Sequence, residues 1–320
     1  MEQNHFVVCV RCSTFNHASF IEETMNGFTI QRTNFSYVCC IIDDASTDGE
    51  PEVIRNYLYE NFDIGDNSIT RNEENDNYVL TFVRHKKNRN CFFAVLWLKY
   101  NHYRSQQMRD MKLKYISEWY DNAKYHAVCE GDDFWIDPYK LQKQYDILER
   151  DNTISMCHHN FYELCEDGGR FLRKKEVPTR QDLLSIAKEN STQTLTMFFR
   201  NIKPLIPKEL KGRRVYSQFW ALRLAEFGDI YYIDEPMAVY RRTPNSIYGT
   251  KDAIIKFKMS INNLDNMIFW FRLRKRKDVI EVLSKRVRKT CWLYTLHFIR
   301  RLQIKEMFNA FRFYLKYLFV

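Results

Sequence analysis

Short apolar runs that end abruptly in acidic residues dominate the first half of the chain. The run 38–42 leads into the turn 43–49, which begins Asp-Asp, and the run 125–129 leads into the acidic segment 130–133. Runs of this length without alternation are typical of strands that are buried on both faces of a parallel sheet. The pattern therefore predicts two buried strands of a parallel sheet that deliver charge to one edge of that sheet.

The rest of this region alternates between strand-like and helix-like segments. Strands are predicted at 6–10, 37–42, 79–83 and 125–129, helices at 20–28, 48–58, 92–100 and 137–148, and a polar loop at 63–76. Strands that alternate with helices indicate an α/β fold with a mainly parallel sheet flanked by helices. The second half is less regular and does not repeat the first.

The two acidic clusters suggest a chemistry. Ligands of open α/β sheets bind at the carboxyl ends of the strands, where both clusters fall. Carboxylates held close together repel one another, and a divalent cation that bridges to phosphates commonly offsets that repulsion. The pattern predicts a metal–nucleotide site at this edge.

Composition indicates in which cellular compartment the protein is expected and where along the chain its positive charge lies. The nine cysteines are an odd number and most lie in apolar runs, as expected of reduced, buried thiols in a cytoplasmic protein. We find no secretory leader pattern and no apolar stretch of about 18 residues that would span a membrane. The net charge of +9 is concentrated at the end of the chain, where residues 271–320 hold 14 Lys and Arg against three acids.

This basic tail also carries many large aromatic residues at helical spacing. Such a mixture is typical of helices that lie in a membrane interface, and anionic lipids would add to the binding. The alternative is a helical extension that packs on the first domain or on a second subunit of a homo-oligomer. We predict two domains, residues 1–248 and a basic, aromatic-rich helical extension over 249–320.

Three motifs together resemble a known family. Ser-Thr-Phe-Asn at 13–16, Ile-Asp-Asp-Ala-Ser-Thr-Asp at 42–48 and Glu-Gly-Asp-Asp at 130–133 resemble the family 2 glycosyltransferases, which have the GT-A fold. The resemblance extends over about residues 6–240. The segment 130–141 is similar to that of bacterial members that build surface polysaccharides.

The resemblance implies a nucleotide-sugar donor site with a divalent metal, Mn²⁺ or Mg²⁺. With this resemblance, the predicted donor-binding residues are Thr14, Phe15, Asn16, Asp43, Asp44, Arg89, Asp132 and Arg241. The implied metal ligands are Asp132 and Asp133. Arg89 is included because it lies in the basic loop after the third predicted strand, and Arg241 because a guanidinium pairs well with a diphosphate.

The chain departs from the family where a catalytic base is expected. Relatives carry an Asp shortly before the helix that is predicted here at 219–227, and this chain has Tyr-Ser-Gln at 216–218. The remaining candidates are Ser217, Gln218 and Glu226. Donor binding is therefore better supported than catalysis.

Three functions remain open. The first is an inverting glycosyltransferase at the cytoplasmic face of a membrane, which transfers a sugar to a glycan or lipid-linked acceptor in cell-surface polysaccharide synthesis. The second is a non-catalytic relative that binds nucleotide sugar or scaffolds a glycan-assembly complex. A nucleic-acid-binding protein ranks below both, because the acidic clusters fit a nucleoside pocket and no nucleic-acid motif is present.

Overall fold

The structure is a computed structural model that describes residues 5–103, 106–173, 176–243 and 252–318. The strands in these residues are β1 (Val8–Thr14), β2 (Tyr37–Asp43), β3 (Arg71–Glu74), β4 (Tyr78–Arg84), β5 (Cys91–Leu98), β6 (Tyr125–Val128), β7 (Phe134–Trp135), β8 (Ile154–Leu164), β9 (Arg170–Leu172), β10 (Arg180–Gln181), β11 (Phe198–Arg200) and β12 (Asp229–Arg241). The α-helices are α1 (Ile21–Thr29), α2 (Glu50–Asn61), α3 (Gln106–Tyr115), α4 (Ser117–Tyr120), α5 (Lys140–Arg150), α6 (Leu183–Lys188), α7 (Ser217–Leu224), α8 (Ala253–Leu273), α9 (Lys277–Arg300) and α10 (Ile304–Lys316).

One mixed sheet organises the fold, in the order β10-β12-β8-β11-β6-β1-β2-β5-β4-β3. Its centre, β6-β1-β2-β5, is parallel throughout, and β8 and β12 form a second parallel pair. Antiparallel strands complete both flanks. The predicted α/β architecture is confirmed, with the parallel strands where the two acidic clusters placed them.

Burial on both faces explains the continuous apolar runs of the central strands. All seven residues of β2 are buried. Cys39 and Ile41 belong to the core beneath α1 and α2, whereas Val38, Cys40 and Ile42 face a separate core that includes α4. Because helices cover both sides, no polar alternation is needed along the strand.

Two local predictions were wrong. The segment 92–100 is not a helix: it forms β5, which pairs with β2 and β4. A continuous apolar run has no periodicity that would distinguish a buried strand from a buried helix. Whether it forms a strand therefore depends on the strands with which it can pair. Within the predicted loop 63–76, Arg71–Glu74 forms the edge strand β3, whose polar sequence follows from its solvent exposure.

The C-terminal region is helical, as predicted, and packs closely on the sheet. Phe257 and Leu264 of α8 and Leu283 of α9 share one buried cluster with Phe199 of β11 and Phe219 of α7. The predicted domain boundary between residues 248 and 249 lies outside the described residues. In the part of the chain that the structure describes, no helix is both long and apolar enough to cross a membrane.

Candidate functional site

The carboxyl ends of β1 and β2 meet at one point of the sheet edge. Thr14 and Asp43 are partners in the register of the two strands, and the Asp44 amide donates to the Thr14 carbonyl at 3.0 Å. The loops that follow turn sharply, because Asn16 and Ala45 adopt positive φ angles of 56° and 61°. The two loops therefore leave the sheet side by side.

Glu50, at the start of α2, fastens these loops together. Its fully buried carboxylate accepts hydrogen bonds from the Thr14 hydroxyl, from the His17 amide at 2.9 Å and from the Ser46 hydroxyl at 2.8 Å. The Asn16 side chain adds a bond from the Thr47 amide at 2.8 Å. Thr14 and Asn16, predicted as donor contacts, are thus used to build the loop pair.

Asp44 holds a third loop, the one that follows β5. Its carboxylate accepts from the His102 amide at 2.7 Å and the Tyr103 amide at 3.1 Å, and it pairs with Lys112 at 2.8 Å. Burial lowers the pKa of Lys112, and the Asp44 carboxylate opposes that shift. Because its carboxylate is already bound to these three groups, Asp44 serves to position the loop after β5, which forms one wall of the site.

Asp43 is the carboxylate at the centre of this edge. It is 1% exposed and accepts the Ser46 amide at 3.2 Å. Burial raises its pKa to about 6, against the opposing effect of the Ser46 hydrogen bond. Phe15, on the first loop, keeps 38% of its surface exposed beside the strand end. A carboxylate and an exposed ring at a strand end suit a nucleoside.

The acidic segment after β6 stands beside these loops. Burial, reinforced by the charge of Asp132, raises the pKa of Glu130 to about 7 and that of Asp133 well above its ordinary value. Asp132 itself is partly exposed, with its carboxylate 4.0 Å from the His17 imidazole. A Cβ at Gly131 would lie 2.0 Å from the Thr14 hydroxyl, so glycine lets this segment approach the first loop.

The two predicted metal ligands differ in their surroundings. Asp133 is 2% exposed, and its carboxylate accepts the backbone amide of Arg241 on β12 at 2.8 Å. Asp132 keeps a side chain that solvent can reach. No group of three or more His, Cys, Asp or Glu within the described residues has the arrangement of a metal site.

A divalent cation nevertheless fits the chemistry at Asp132. Glu130, Asp132 and Asp133 bring three carboxyl groups together, and the charge of Asp132 adds to burial in raising the pKa values of the other two. Mg²⁺ commonly takes only one or two protein carboxylates and completes its shell with phosphate oxygens and water. Asp132 would be the protein ligand of such an ion.

Arg241 is committed to protein contacts. Its guanidinium pairs with Glu23, donates to the Asp132 carbonyl at 2.7 Å and lies 4.6 Å from the ring of Phe20. These contacts tie β12 and α1 to the acidic segment. The predicted diphosphate contact through Arg241 would require this arrangement to open.

Arg89 lies at the wrong edge of the sheet for a donor contact. Strand β4 runs antiparallel to β5, so the loop that follows it returns to the amino end of β2, where Arg84 is opposite Phe92. Arg89 instead pairs with Asp63 at 2.5 Å. The prediction assumed that β4 runs in the same direction as β2, and it does not.

The three candidates for a catalytic base are all engaged. The Ser217 hydroxyl accepts from Thr194 at 3.0 Å, and the Gln218 side-chain carbonyl accepts from Asn263 at 3.1 Å. Glu226 lies beyond the far end of α7, where it accepts from Arg223 at 2.9 Å and from the indole of Trp270 at 2.8 Å. Glu226 is a packing residue between α7 and α8.

Sequence reasoning missed four residues of this site. Glu50, His17 and Lys112 contact the predicted residues directly, and Arg11 of β1 lies 4.6 Å from the Trp220 ring while its charge lowers the pKa of Glu130. Arg11 could have been found from the sequence, because it is a charged residue within an otherwise apolar strand. The other three depend on contacts between distant segments.

Comparison with known structures identifies the fold. Residues 1–349 of S. aureus TarS with UDP-GlcNAc align with a TM-score of 0.51 and 14% identity, over 97% of this chain and 91% of that one. The mannosyltransferase PcManGT from Pyrobaculum calidifontis, with GDP-Man and Mn²⁺, aligns with a TM-score of 0.50 and 12% identity, over 98% and 85%. The chain has the fold of GT-A glycosyltransferases.

Sequence comparison adds relatives of unknown activity. Uncharacterised proteins of Mycobacterium tuberculosis and Mycobacterium bovis are 27% identical over 237 residues, which is 73% of this chain. The match covers 58% of their length, so the chain corresponds to little more than half of these relatives. No family model matches the chain.

Proposed function

We propose that this chain is an inverting glycosyltransferase that transfers a sugar from a nucleotide-diphosphate donor. The observation that carries the proposal is the arrangement at the carboxyl edge of the sheet. There the loop after β1 lies between the buried Asp43, at the end of β2, and the segment after β6 that carries the partly exposed Asp132. Structures with the same fold hold UDP-GlcNAc, or GDP-Man with Mn²⁺. The donor sugar would be a hexose or a hexose derivative.

The chain's own residues divide the work of donor binding. Asp43 accepts from a nucleoside N–H or hydroxyl, and Phe15 covers the base. Asp44 and Glu50 hold the loops that form the pocket walls. Asp132 would hold a divalent cation, which would screen the negative charge that develops on the leaving diphosphate.

The acceptor we propose is a glycan or a lipid-linked glycan, in the synthesis of a cell-surface polysaccharide. The resemblance of segment 130–141 to bacterial enzymes of that kind supports this acceptor class. We propose a cytoplasmic protein that associates peripherally with the membrane, where a lipid-linked acceptor would be found. The basic, aromatic C-terminal helices support that location.

A second function is favoured by the lack of an acidic residue in the segment where relatives carry the catalytic base. Inverting transfer needs a group that takes the proton of the acceptor hydroxyl. Residues 210–225 contain no acid, and Ser217 and Gln218 at the start of α7 are already hydrogen-bonded. The alternative is therefore a non-catalytic relative that binds a nucleotide sugar.

Calorimetry with nucleotide sugars tests both proposals. UDP- and GDP-sugars are titrated with and without Mn²⁺, and we expect one donor to bind in a metal-dependent way. Asp132→Asn should abolish that dependence, while Asp121→Asn, at an exposed position, serves as the control. A metal dependence unchanged by Asp132→Asn would contradict the site.

Turnover then separates the two functions. Release of nucleoside diphosphate from the bound donor, with transfer to an acceptor or slow transfer to water, would establish the transferase. Tight, metal-dependent binding without any release over hours would favour the non-catalytic relative. Absence of binding to every donor in the panel would refute both.

A further inference from the structure

Helix α10 has two apolar faces, and only one of them is buried. The inward face includes Ala310 and Tyr317, both fully buried in the cluster that α10 shares with α9. A second row of apolar side chains is exposed to solvent. This row, the apolar stripe, consists of Ile304, Phe308, Phe311, Leu315 and Leu318.

The spacing of the apolar stripe places its members on one line. Ile304, Phe308, Phe311 and Leu315 are four, three and four residues apart, which is the period of a single helix face, and Leu318 follows two residues beyond the end of α10. Phe308 is 63% exposed and Ile304 is 64% exposed. A surface helix normally presents charged or polar residues away from the core, so an apolar outer face calls for a partner.

Helix α9 extends this apolar surface. The ring of Trp292, which is about half exposed, lies next to the ring of Tyr314, with 6.2 Å between the ring centroids. Tyr314 in turn stacks on Phe311 of the stripe, with 6.1 Å between the ring centroids. At the turn between the two helices, Leu302 is 85% exposed with a φ of 55°. The outermost point of the hairpin is thus also apolar.

Basic residues border the stripe. Lys305, Arg312 and Lys316 each follow a stripe residue by one position, so they form a parallel strip about 100° further around the helix. Arg300 and Arg301 add two cations at the turn. From residue 288 to residue 318 the chain has seven Lys and Arg and a single acid, Glu306.

Few of these cations are neutralised by the protein. Lys316 pairs with Asp265 at 3.1 Å. Arg300, Arg301, Lys305 and Arg312 form no ion pair with any other described residue. The hairpin therefore presents exposed apolar side chains together with uncompensated positive charge.

We propose that the α9–α10 hairpin docks on an anionic lipid membrane. The apolar stripe enters the boundary between headgroups and acyl chains, α10 lies parallel to the surface, and the basic strip contacts anionic headgroups. A second copy of the chain is a poorer partner. In a two-fold contact with antiparallel α10 helices, each basic strip would lie beside its equivalent, and like charges repel. The docking does not depend on sugar transfer.

Vesicle co-sedimentation of the full chain tests this proposal. The partition coefficient is measured on vesicles of phosphatidylcholine alone and on vesicles that also contain phosphatidylglycerol. We expect binding to the anionic vesicles, weakened by salt, and at least about tenfold weaker binding to the neutral ones.

Two sets of variants assign the binding to the hairpin. The double variant Phe308→Ser, Phe311→Ser should lower the partition coefficient at least about tenfold, because two rings no longer leave water. Its matched control is Phe171→Ser, Phe227→Ser, at exposed phenylalanines elsewhere. The triple variant Arg300→Gln, Arg301→Gln, Lys305→Gln should lower binding to anionic vesicles about 100-fold. Its control is Lys87→Gln, Arg150→Gln, Lys208→Gln, at exposed cations outside the hairpin.

Several outcomes would overturn the proposal. One is no binding to anionic vesicles, and another is equal loss in the hairpin and control variants. Dimerisation without lipid that the Phe308→Ser, Phe311→Ser variant abolishes would assign the surface to a second copy. Salt-sensitive binding of DNA or RNA in preference to vesicles would assign it to nucleic acid. All variants lie at exposed positions, and unchanged thermal midpoints would confirm that they fold.

Discussion

At the residue scale, the candidate site depends on carboxylates that serve different purposes. The carboxylate oxygens of Glu50 and Asp44 accept hydrogen bonds from backbone amides and neighbouring side chains, and these bonds fix the positions of three loops. Asp43 and Asp132 have fewer protein partners and remain suited to a ligand. The carboxylates proposed to bind the ligand therefore lie beside loops that Glu50 and Asp44 hold in position.

Replacing Asp43 with Asn should stabilise the metal-free protein at high pH. Burial raises the folded-state pKa of Asp43 to about 6, from an ordinary value of 3.8. The folded state therefore keeps its proton where the unfolded state has lost it, and stability falls as the pH rises from about 4 to about 6. Asp43→Asn removes this penalty, roughly 2–3 kcal/mol at pH 8, with little effect at pH 4.

Chemical denaturation with EDTA at the two pH values measures this difference. The free energy of unfolding should rise in the variant at pH 8 only. An equal change at pH 4 and pH 8 would show that the carboxylate titrates normally. The same variant should bind nucleotide more weakly, because Asp43 is the proposed nucleoside contact.

Glu50→Ala should destabilise the protein by about 3 kcal/mol. The substitution leaves the Thr14 hydroxyl, the His17 amide and the Ser46 hydroxyl without their common acceptor in a buried position. Glu52→Ala, two residues further along α2 and exposed, is the matched control and should change stability by less than about 0.5 kcal/mol. Similar losses in both variants would mean that Glu50 acts only as a helix residue.

At the element scale, close contact between a helix and a strand limits which residues can occupy the position of contact. A Cβ at Gly27 of α1 would lie 2.8 Å from the backbone nitrogen and oxygen of Trp135 in β7. Backbone atoms cannot move aside as a side chain can. Helix α1 therefore rests on β7 through a glycine, and this places Glu23 within reach of Arg241.

Gly27→Ala should lower stability by about 2 kcal/mol or more, because α1 must shift away from β7. The higher helix propensity of alanine returns only about 1 kcal/mol. Gly65→Ala is the control, since nothing lies within 4 Å of its added Cβ and the change should be neutral or slightly stabilising. A neutral Gly27→Ala would indicate that the contact is looser than the structure has it.

The elements also show how far the sequence alone could lead. The ends of β2 and β6 were predictable, because apolar runs that stop at carboxylates mark the edge of a parallel sheet. The strand β5 and the direction of β4 were not, because both depend on which strands become neighbours. The prediction for Arg89 was wrong for that reason. The role of Glu50 was not predictable because two of its three partners, Thr14 and His17, are more than 30 residues away.

At the scale of the whole molecule, the C-terminal helices belong to the core of the protein. The buried cluster that contains Leu283 of α9 and Phe271 of α8 also contains Met156 of β8 and Phe219 of α7. Arg286 of α9 donates to the Ala187 carbonyl at the end of α6. The sheet and the C-terminal helices therefore share one apolar core. Domains that move independently are usually joined by smaller and more polar interfaces.

The chain should therefore unfold in one transition, with the extension included. Leu283→Ala would leave a cavity in the shared cluster and should lower the free energy of unfolding by about 2–4 kcal/mol, displacing the whole calorimetric transition. Leu293→Ala, on the same helix but 57% exposed, should leave the transition within about 0.5 kcal/mol of its original position. If Leu283→Ala instead split off a smaller, low-temperature transition, residues 249–320 would be the separate domain that the sequence predicts. A single shifted transition would mean that the hairpin proposed to contact lipid unfolds as one cooperative unit with the sheet that carries the proposed donor site.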